Sequence, residues 1–192
     1  ILIGLVGSEM CIRDSNGTGR TLVFRKDCYD QRQWHTSNVN AYASSAIDIW
    51  LNSTYKNMLD ADIRALIGST KIRYTPGNGN TTMGTLDRAV FLLSAYELGK
   101  NESWFNKEGT TLPNATNYQI AKLNGSTVVQ WTRSPSTYST LDAIYLYANG
   151  YVSYGRCTST YGSRPAFTLP SNLYVSDDGT VSVSYTHLRA HE

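Results

Sequence analysis

Along this chain the spacing of the apolar residues changes, and that change decides the class of fold. Ile47, Trp50, Leu51, Tyr55 and Met58 recur three and four positions apart, so they share one face of a helix; Ser45 is placed to cap it, with Asp48 three residues on. Asp60 caps a second short helix whose apolar face is Ile63, Leu66 and Ile67, with Gly68 at its stop. Farther on the spacing falls to two. VVQWTRSP, AIYLYA, YVSYGRC and SRPAFTL read as strands, and Asn149-Gly150 joins the second and third with the signal of a type I′ hairpin. LYVSDDGTV reads as a hairpin about Asp178-Gly179.

Between these halves, KIRYT and AVFLL are strands, PGNGNTTMG is a Gly and Asn loop, and Ser94 with Glu97 forms a capping box for one turn of helix. A short strand begins at Leu22 to Phe24, followed by the loop QRQWHTSNVNAY. The expectation is an α+β domain, with two or three short helices from the N-terminal half packed on a mostly antiparallel sheet from the C-terminal half.

The two ends are set apart from this domain. VSYTHLRAHE (residues 183–192) and LVGSEMCIRD (residues 5–14) can be written as translations of reverse-complementary DNA over ten consecutive codons. Nothing in protein physics produces that relation, whereas inverted copies of one synthetic element do, and the string resembles a transposase adapter. Residues 1–15 and 183–192 are therefore read as adapter-derived, and residues 16–182 as a single globular domain. Without Glu9, Asp14, Glu192, Arg13 and Arg189, the 15 acids and 17 bases of the chain leave a net charge of +3. The bases are scattered with no stripe, so nucleic acid is not an expected partner. The longest apolar stretch, AVFLLSAY, is far short of the roughly 20 residues that span a bilayer, so no membrane insertion is expected.

Catalysis finds few parts here. His35 is the one histidine outside the end segments, and it follows Trp34 in a loop where a packed or capping role suits it. Cys28 and Cys157 have no metal-ligand or redox spacing; they either pair as a disulfide or sit as small buried hydrophobes. Asp177 and Asp178 read as a hairpin turn rather than a cation site, so no metal and no cofactor is assigned. Arg133 and Arg164 are read as structural, each paired with a buried carboxylate, with Asp87 or Glu97 the natural partners. Trp34, Trp50 and Trp131 read as core. Six N-x-S/T triplets, Asn52 and Asn124 among them, are what an Asn-, Ser- and Thr-rich chain contains by accident.

One stretch stands out, STYSTLDAIYLYANGYVSYGRCTSTYGS, which carries Tyr138, Tyr145, Tyr147, Tyr151, Tyr154 and Tyr161. Tyr among Ser, Gly and Asn is the composition of adaptable binding surfaces, where rigid rings supply contact area at low entropic cost. Tyr also suits strands for packing reasons alone. Alternation puts Tyr145 and Tyr147 on one face, and Tyr151 and Tyr154 on opposite faces of their strand. The candidate ligand-binding set is Tyr145, Tyr147, Tyr151, Tyr154, Arg156 and Tyr161.

The segments RKDCYDQRQWHTSNVNAY, IDIWLNSTY, RAVFLLSAYELG, WTRSP and GSRPAFTLP occur in this order over residues 19–181, and this series resembles a bacterial and phage family, the domain of unknown function 6273. That family is similar to the C-type-lectin-like fold, which also hosts formylglycine-generating enzymes and variable phage receptor-binding proteins. The resemblance implies a non-catalytic module of phage or bacterial-surface type, on a virion or extracellular surface, that binds a cell-surface glycan or protein. It leaves two alternatives. A virion or cell-envelope structural domain would use the aromatic patch as a homo-oligomer interface. A formylglycine-generating-type oxidase would need a copper-handling cysteine pair, and Cys28 and Cys157 do not stand in such a motif.

Overall fold

The computed structural model describes residues 12–13, 20–170, 173–175 and 181–183. Its fold is α+β and mostly sheet. Strands β1 (Ile12–Arg13), β2 (Arg20–Phe24) and β3 (Asp30–Gln33) precede the helices. A continuous helical run follows, made of α1 (Ala46–Trp50), a π-helical stretch (Leu51–Tyr55) and α2 (Lys56–Met58), and then α3 (Ala61–Leu66). The other strands are β4 (Thr70–Tyr74), β5 (Gly84–Arg88), β6 (Val90–Leu92), β7 (Ala121–Leu123), β8 (Ser126–Val128), β9 (Gln130–Pro135), β10 (Asp142–Leu146), β11 (Val152–Arg156), β12 (Thr160–Ser163), β13 (Pro165–Pro170), β14 (Leu173–Val175) and β15 (Val181–Val183).

Two sheets organise the molecule. One runs β1-β2-β13-β6, all antiparallel, so strands from near both ends of the domain lie side by side. The other runs β11-β10-β9-β12-β3 and is antiparallel except where β12 meets β9 through Gly162 and Gln130. Three of the four residues of β3 lie inside QRQWHTSNVNAY, which sequence reads as loop; the four alternate half-buried and exposed, and only pairing with β12 makes them a strand. β5 likewise escapes the sequence reading and pairs with β4. β1 and Val183 of β15 fall in the end segments assigned to adapter; β1 pairs with β2 and Val183 with Leu173. The Asp178-Gly179 turn, with Asp177, lies outside the described residues.

The helical run is positioned by its caps and by one asparagine. Ser45 Oγ accepts the Asp48 N–H at 3.2 Å, and Asp60 caps α3 through the Asp62 N–H. Ile47, Leu51 and Tyr55 are buried against the first sheet, while Trp50 is only partly buried and Met58 is 52 % exposed. The π stretch accounts for Met58, because one wider turn shifts the residues beyond it around the helix axis; Trp50 precedes the stretch and lies at the border of the buried face. Within that stretch Asn52 docks on β6, its Nδ2 donating to Val90 O (2.9 Å) and its Oδ1 accepting Val90 N–H (3.1 Å).

Two of the loops with left-handed residues bear on the site. Gly77 and Asn80 exchange both backbone hydrogen bonds at 3.0 Å around Asn78 (φ 49°) and Gly79 (φ 87°), which makes a type I′ turn inside PGNGNTTMG. At the Asn149-Gly150 hairpin only Gly150 has positive φ (83°); Gly150 N–H donates to Tyr147 O and Tyr147 N–H to Tyr151 O. That is a three-residue loop with glycine in the left-handed position, not the type I′ turn expected from sequence.

Candidate functional site

The tyrosine-rich segment builds the β10–β11 hairpin, and its pleat divides the candidate residues between two faces. On the first, Tyr145 is buried among Trp131 (5.9 Å between centroids), Tyr161 (4.8 Å) and Tyr147 (5.1 Å), and Trp131 and Tyr161 also touch at 4.7 Å. The Tyr145 hydroxyl donates to the Tyr147 hydroxyl at 3.0 Å. Burial and that bond push the Tyr145 phenol up to about 12. Gly155 lies under this ring, and a Cβ there would stand 3.0 Å from it. Tyr145 and Tyr161 are thus mainly supports, and Tyr147, 44 % exposed, is the outer ring of the stack.

On the second face, Tyr154 pairs in register with Ile144 and stands edge-on to Trp104 at 5.2 Å. Trp104 and Phe105 pack over Ile144 and Ala95 as a small separate core. Arg156 lies opposite Asp142, its guanidinium 3.7 Å from the carboxylate and half exposed. Tyr151 sits at the hairpin end, 72 % exposed, and stacks on no ring among the described residues. The six candidates do not form one continuous patch. Tyr147 belongs to one face, Tyr154 and Arg156 to the other, and Tyr151 to the tip.

Trp104 escapes the sequence reading because KNESWFNKEG has no period to place it; the only signal is an aromatic pair flanked by polar residues. Its segment is held by carboxylates. Ser94 and Glu97 bond reciprocally, Glu97 N–H to Ser94 Oγ (3.0 Å) and Ser94 N–H to Glu97 Oε2 (2.9 Å), in the anticipated capping box, although only a turn forms there. Glu97 takes a two-pronged bond from Arg133, at 2.6 and 2.7 Å. Arg133 also donates to Arg73 O and Leu92 O, so one buried guanidinium ties β4, β6 and β9 to the turn. Burial opposes its charge, but Glu97, with Glu108 and Tyr42 adding to it, more than offsets this and raises its pKa. Glu108, also buried, accepts the Thr75 N–H (2.6 Å) and the Ser134 hydroxyl (2.6 Å); burial raises its pKa against the pull of Arg133.

The expected carboxylate partner holds for Arg133 and fails for Arg164. Arg164 donates to Arg25 O, Tyr118 O and Gln130 Oε1 and lies over the Phe24 ring, with burial pushing its pKa down to about 10. Carbonyls disperse its charge where no acid fits. Asp87 is exposed and pairs with neither arginine, while Asp48, pushed up to about 6 by burial, pairs with Arg88 at 2.8 Å.

Trp34 and Trp131 are buried and donate their indole N–H groups to Thr132 O and Arg32 O, whereas Trp50 is half-buried beneath the Arg32 guanidinium. His35 Nδ1 accepts the Ser37 N–H in a local turn. Cys28 and Cys157 are free and buried, with burial pushing their thiols up to about 11 and about 12. They are the small buried hydrophobes rather than a disulfide. Among the described residues no helix is long and apolar enough to cross a membrane.

Beside Tyr154 and Trp104 lies a cleft of about 100 Å³ between residues 75–81 and residues 136–140, with Tyr138 at its edge. Thr137 N–H donates to Trp104 O at 2.9 Å, and the Tyr138 hydroxyl bonds the Ser103 hydroxyl at 2.8 Å, so cleft and second face form one surface.

Neither the curated proteins nor the solved structures contain a match to this sequence. The family comparison matches residues 18–171, most of the chain and nearly all of the domain described above. By that match the chain belongs to the family described as Domain of unknown function (DUF6273).

Proposed function

We propose that this protein is a non-catalytic ligand-binding module of phage or bacterial-surface type, which engages a cell-surface glycan or protein through aromatic side chains on and beside the β10–β11 hairpin. The observation that carries this reading is the exposure of four rings, two of them resting on other aromatic side chains. Tyr147, Tyr154, Tyr138 and Tyr151 are 44 %, 44 %, 67 % and 72 % exposed; buried Tyr145 supports Tyr147, Trp104 on buried Phe105 supports Tyr154, and the Tyr138 hydroxyl is bonded to Ser103. Exposed rings grouped on one surface mark interaction sites, as Tyr138 and Tyr154 are grouped about Trp104, and rings already held in place lose little entropy on binding. A C-type-lectin-like arrangement is the finer fold reading. It is supported by the adjacency of β2 and β13, the helical run packed on their sheet, and the loop-rich segments between them.

Replacing Tyr147, Tyr151 and Tyr154 together with alanine is expected to abolish retention on intact bacterial cells that hold the wild-type protein. Unchanged retention removes the hairpin from the site. Sizing separates this reading from a structural role for the same rings: a monomer favours ligand binding, and an assembly that the triple substitution dissolves favours a homo-oligomer interface.

A further inference from the structure

We infer that the cleft between residues 75–81 and 136–140 is a saccharide subsite that seats an uncharged sugar unit, with Tyr138 as its stacking ring. This deepens the binding reading above and rests on it.

The lining is polar and uncharged. Thr81, Ser136, Thr137, Ser139 and Thr140 supply hydroxyls and Asn80 an amide, and no lining residue carries a charge or a large aliphatic side chain. Such a surface offers donors and acceptors in mixture, as a polyol does in return. A phosphate, sulfate or carboxylate would meet no cation to replace its water, and a peptide anchor no apolar floor. Ser136 and Ser139 each accept a main-chain N–H, from Tyr138 and Leu141 at 3.2 Å, which leaves both hydroxyl hydrogens free to donate.

The cleft is also held rigid by side chains behind it. Asn40, fully buried, holds both walls at once. Its Nδ2 lies 3.0, 2.8 and 2.9 Å from the carbonyls of Ser136, Ser139 and Asp142, and its Oδ1 accepts the Asn78 N–H at 2.7 Å. The Asn106 amide donates to Thr75 Oγ1 and Thr81 O, and Glu108 holds the Thr75 N–H. Gly77 presses so closely on Asn40 that a Cβ would stand 1.9 Å from its carbonyl oxygen. A preformed cleft spends no binding energy on ordering loops.

At the edge stands a ring. Tyr138 is 67 % exposed with its hydroxyl fixed to Ser103, so its face is presented to a ligand rather than packed. The C–H side of a pyranose carries partial positive charge and matches the negative face of an aromatic ring. A cleft of about 100 Å³ suits one sugar unit, with flanking units running toward Trp104 and Tyr154.

The test is affinity electrophoresis of the full chain through gels containing starch, mannan, glycol chitin, heparin or polysialic acid. Retardation by at least one neutral polymer and by neither anionic one is expected. Tyr138→Ala, and separately the near-isosteric double change Thr81→Val with Thr137→Val, should each weaken that retardation about tenfold or more, with unchanged circular dichroism and melting temperature. Retardation by anionic polymers alone, by none, or by neutral polymers at undiminished strength in both variants overturns the inference. The broader reading fails separately. If no polymer retards the chain but intact bacterial cells retain it, and the Tyr147/Tyr151/Tyr154 triple change abolishes that retention, the subsite is wrong and the binding module stands.

Discussion

On one face of the β10–β11 hairpin, aromatic rings rest on aromatic rings; on the other, a loop covers the strand and buried carboxylates hold the loop. Tyr145 is enclosed by Trp131, Tyr161 and Tyr147. Ile144, one residue away, is covered by Phe105 and Trp104, whose segment is pinned through Glu97 and Glu108 to β9 and to Thr75. The first face rests on dispersion and apolar burial, which pH does not alter. The second rests on ionisable groups, so its order depends on proton concentration. One short hairpin thus carries an outer surface on two physically different foundations.

The largest effect is expected from Trp131→Ala, which removes the ring shared by Tyr145 and Tyr161. A loss of about 3–5 kcal/mol in unfolding free energy should appear in denaturant titration. A loss below about 1 kcal/mol would mean that the stack does not hold the first face. Gly155→Ala should cost about 1–3 kcal/mol, because the new methyl meets a Tyr145 ring that its three neighbours prevent from moving. The same change paired with Tyr145→Ala should restore part of that loss, and a simple sum of the two single effects would refute the contact.

The second face is probed by pH. Glu108 has its folded pKa raised by burial, so the folded state holds that proton more tightly than the unfolded chain does. Its contribution is fully present below the ordinary Glu range, near 4.3, and is lost as pH rises toward the raised value. Asp48, pushed up to about 6, acts in the same sense, with its contribution lost between about pH 4 and 6. Melting temperature should therefore fall over this interval. Glu108→Gln, which keeps an acceptor for the Thr75 N–H, should flatten part of that slope. Identical slopes in variant and wild type would remove Glu108 from the account, and Trp131→Ala should leave the slope unaltered.

The smallest stability effect belongs to the rim. Tyr151→Ala and Tyr154→Ala should each change unfolding free energy by less than about 0.5–1 kcal/mol, with Tyr154 the larger because its ring touches Trp104. A greater loss from Tyr151 would show that its ring packs and would count against a role in contact.

How much of this was legible differs by physical origin. Caps and periods are local, so Ser45, Asp60 and the Ser94 and Glu97 pair could be read directly, as could the antiparallel character of the second half. The reading failed where partners are distant in sequence. β3 is a strand because β12 lies beside it, and Arg164 found carbonyls where an acid was expected. Three described Asn-Gly pairs carry the same local signal; Asn78-Gly79 and Asn124-Gly125 have both residues left-handed, as a type I′ turn requires, whereas at Asn149-Gly150 a three-residue loop sets the register. The tyrosine alternation put Tyr145 and Tyr147 on one face of their strand, but which of these faces Tyr154 shares came only from the pairing of β10 with β11, and nothing hinted at Trp104, whose position depends on Glu97 and Glu108.

The docking of Asn52 on Val90 has a further consequence. β6 closes one side of its sheet, and an unpaired strand border is a template on which another chain can pair. The amide of Asn52 occupies both the donor and the acceptor of Val90, so the helical run also guards against edge-to-edge aggregation. Asn52 heads an N-x-S/T triplet, and a glycan attached to that nitrogen would compete with its bonds and uncover the border.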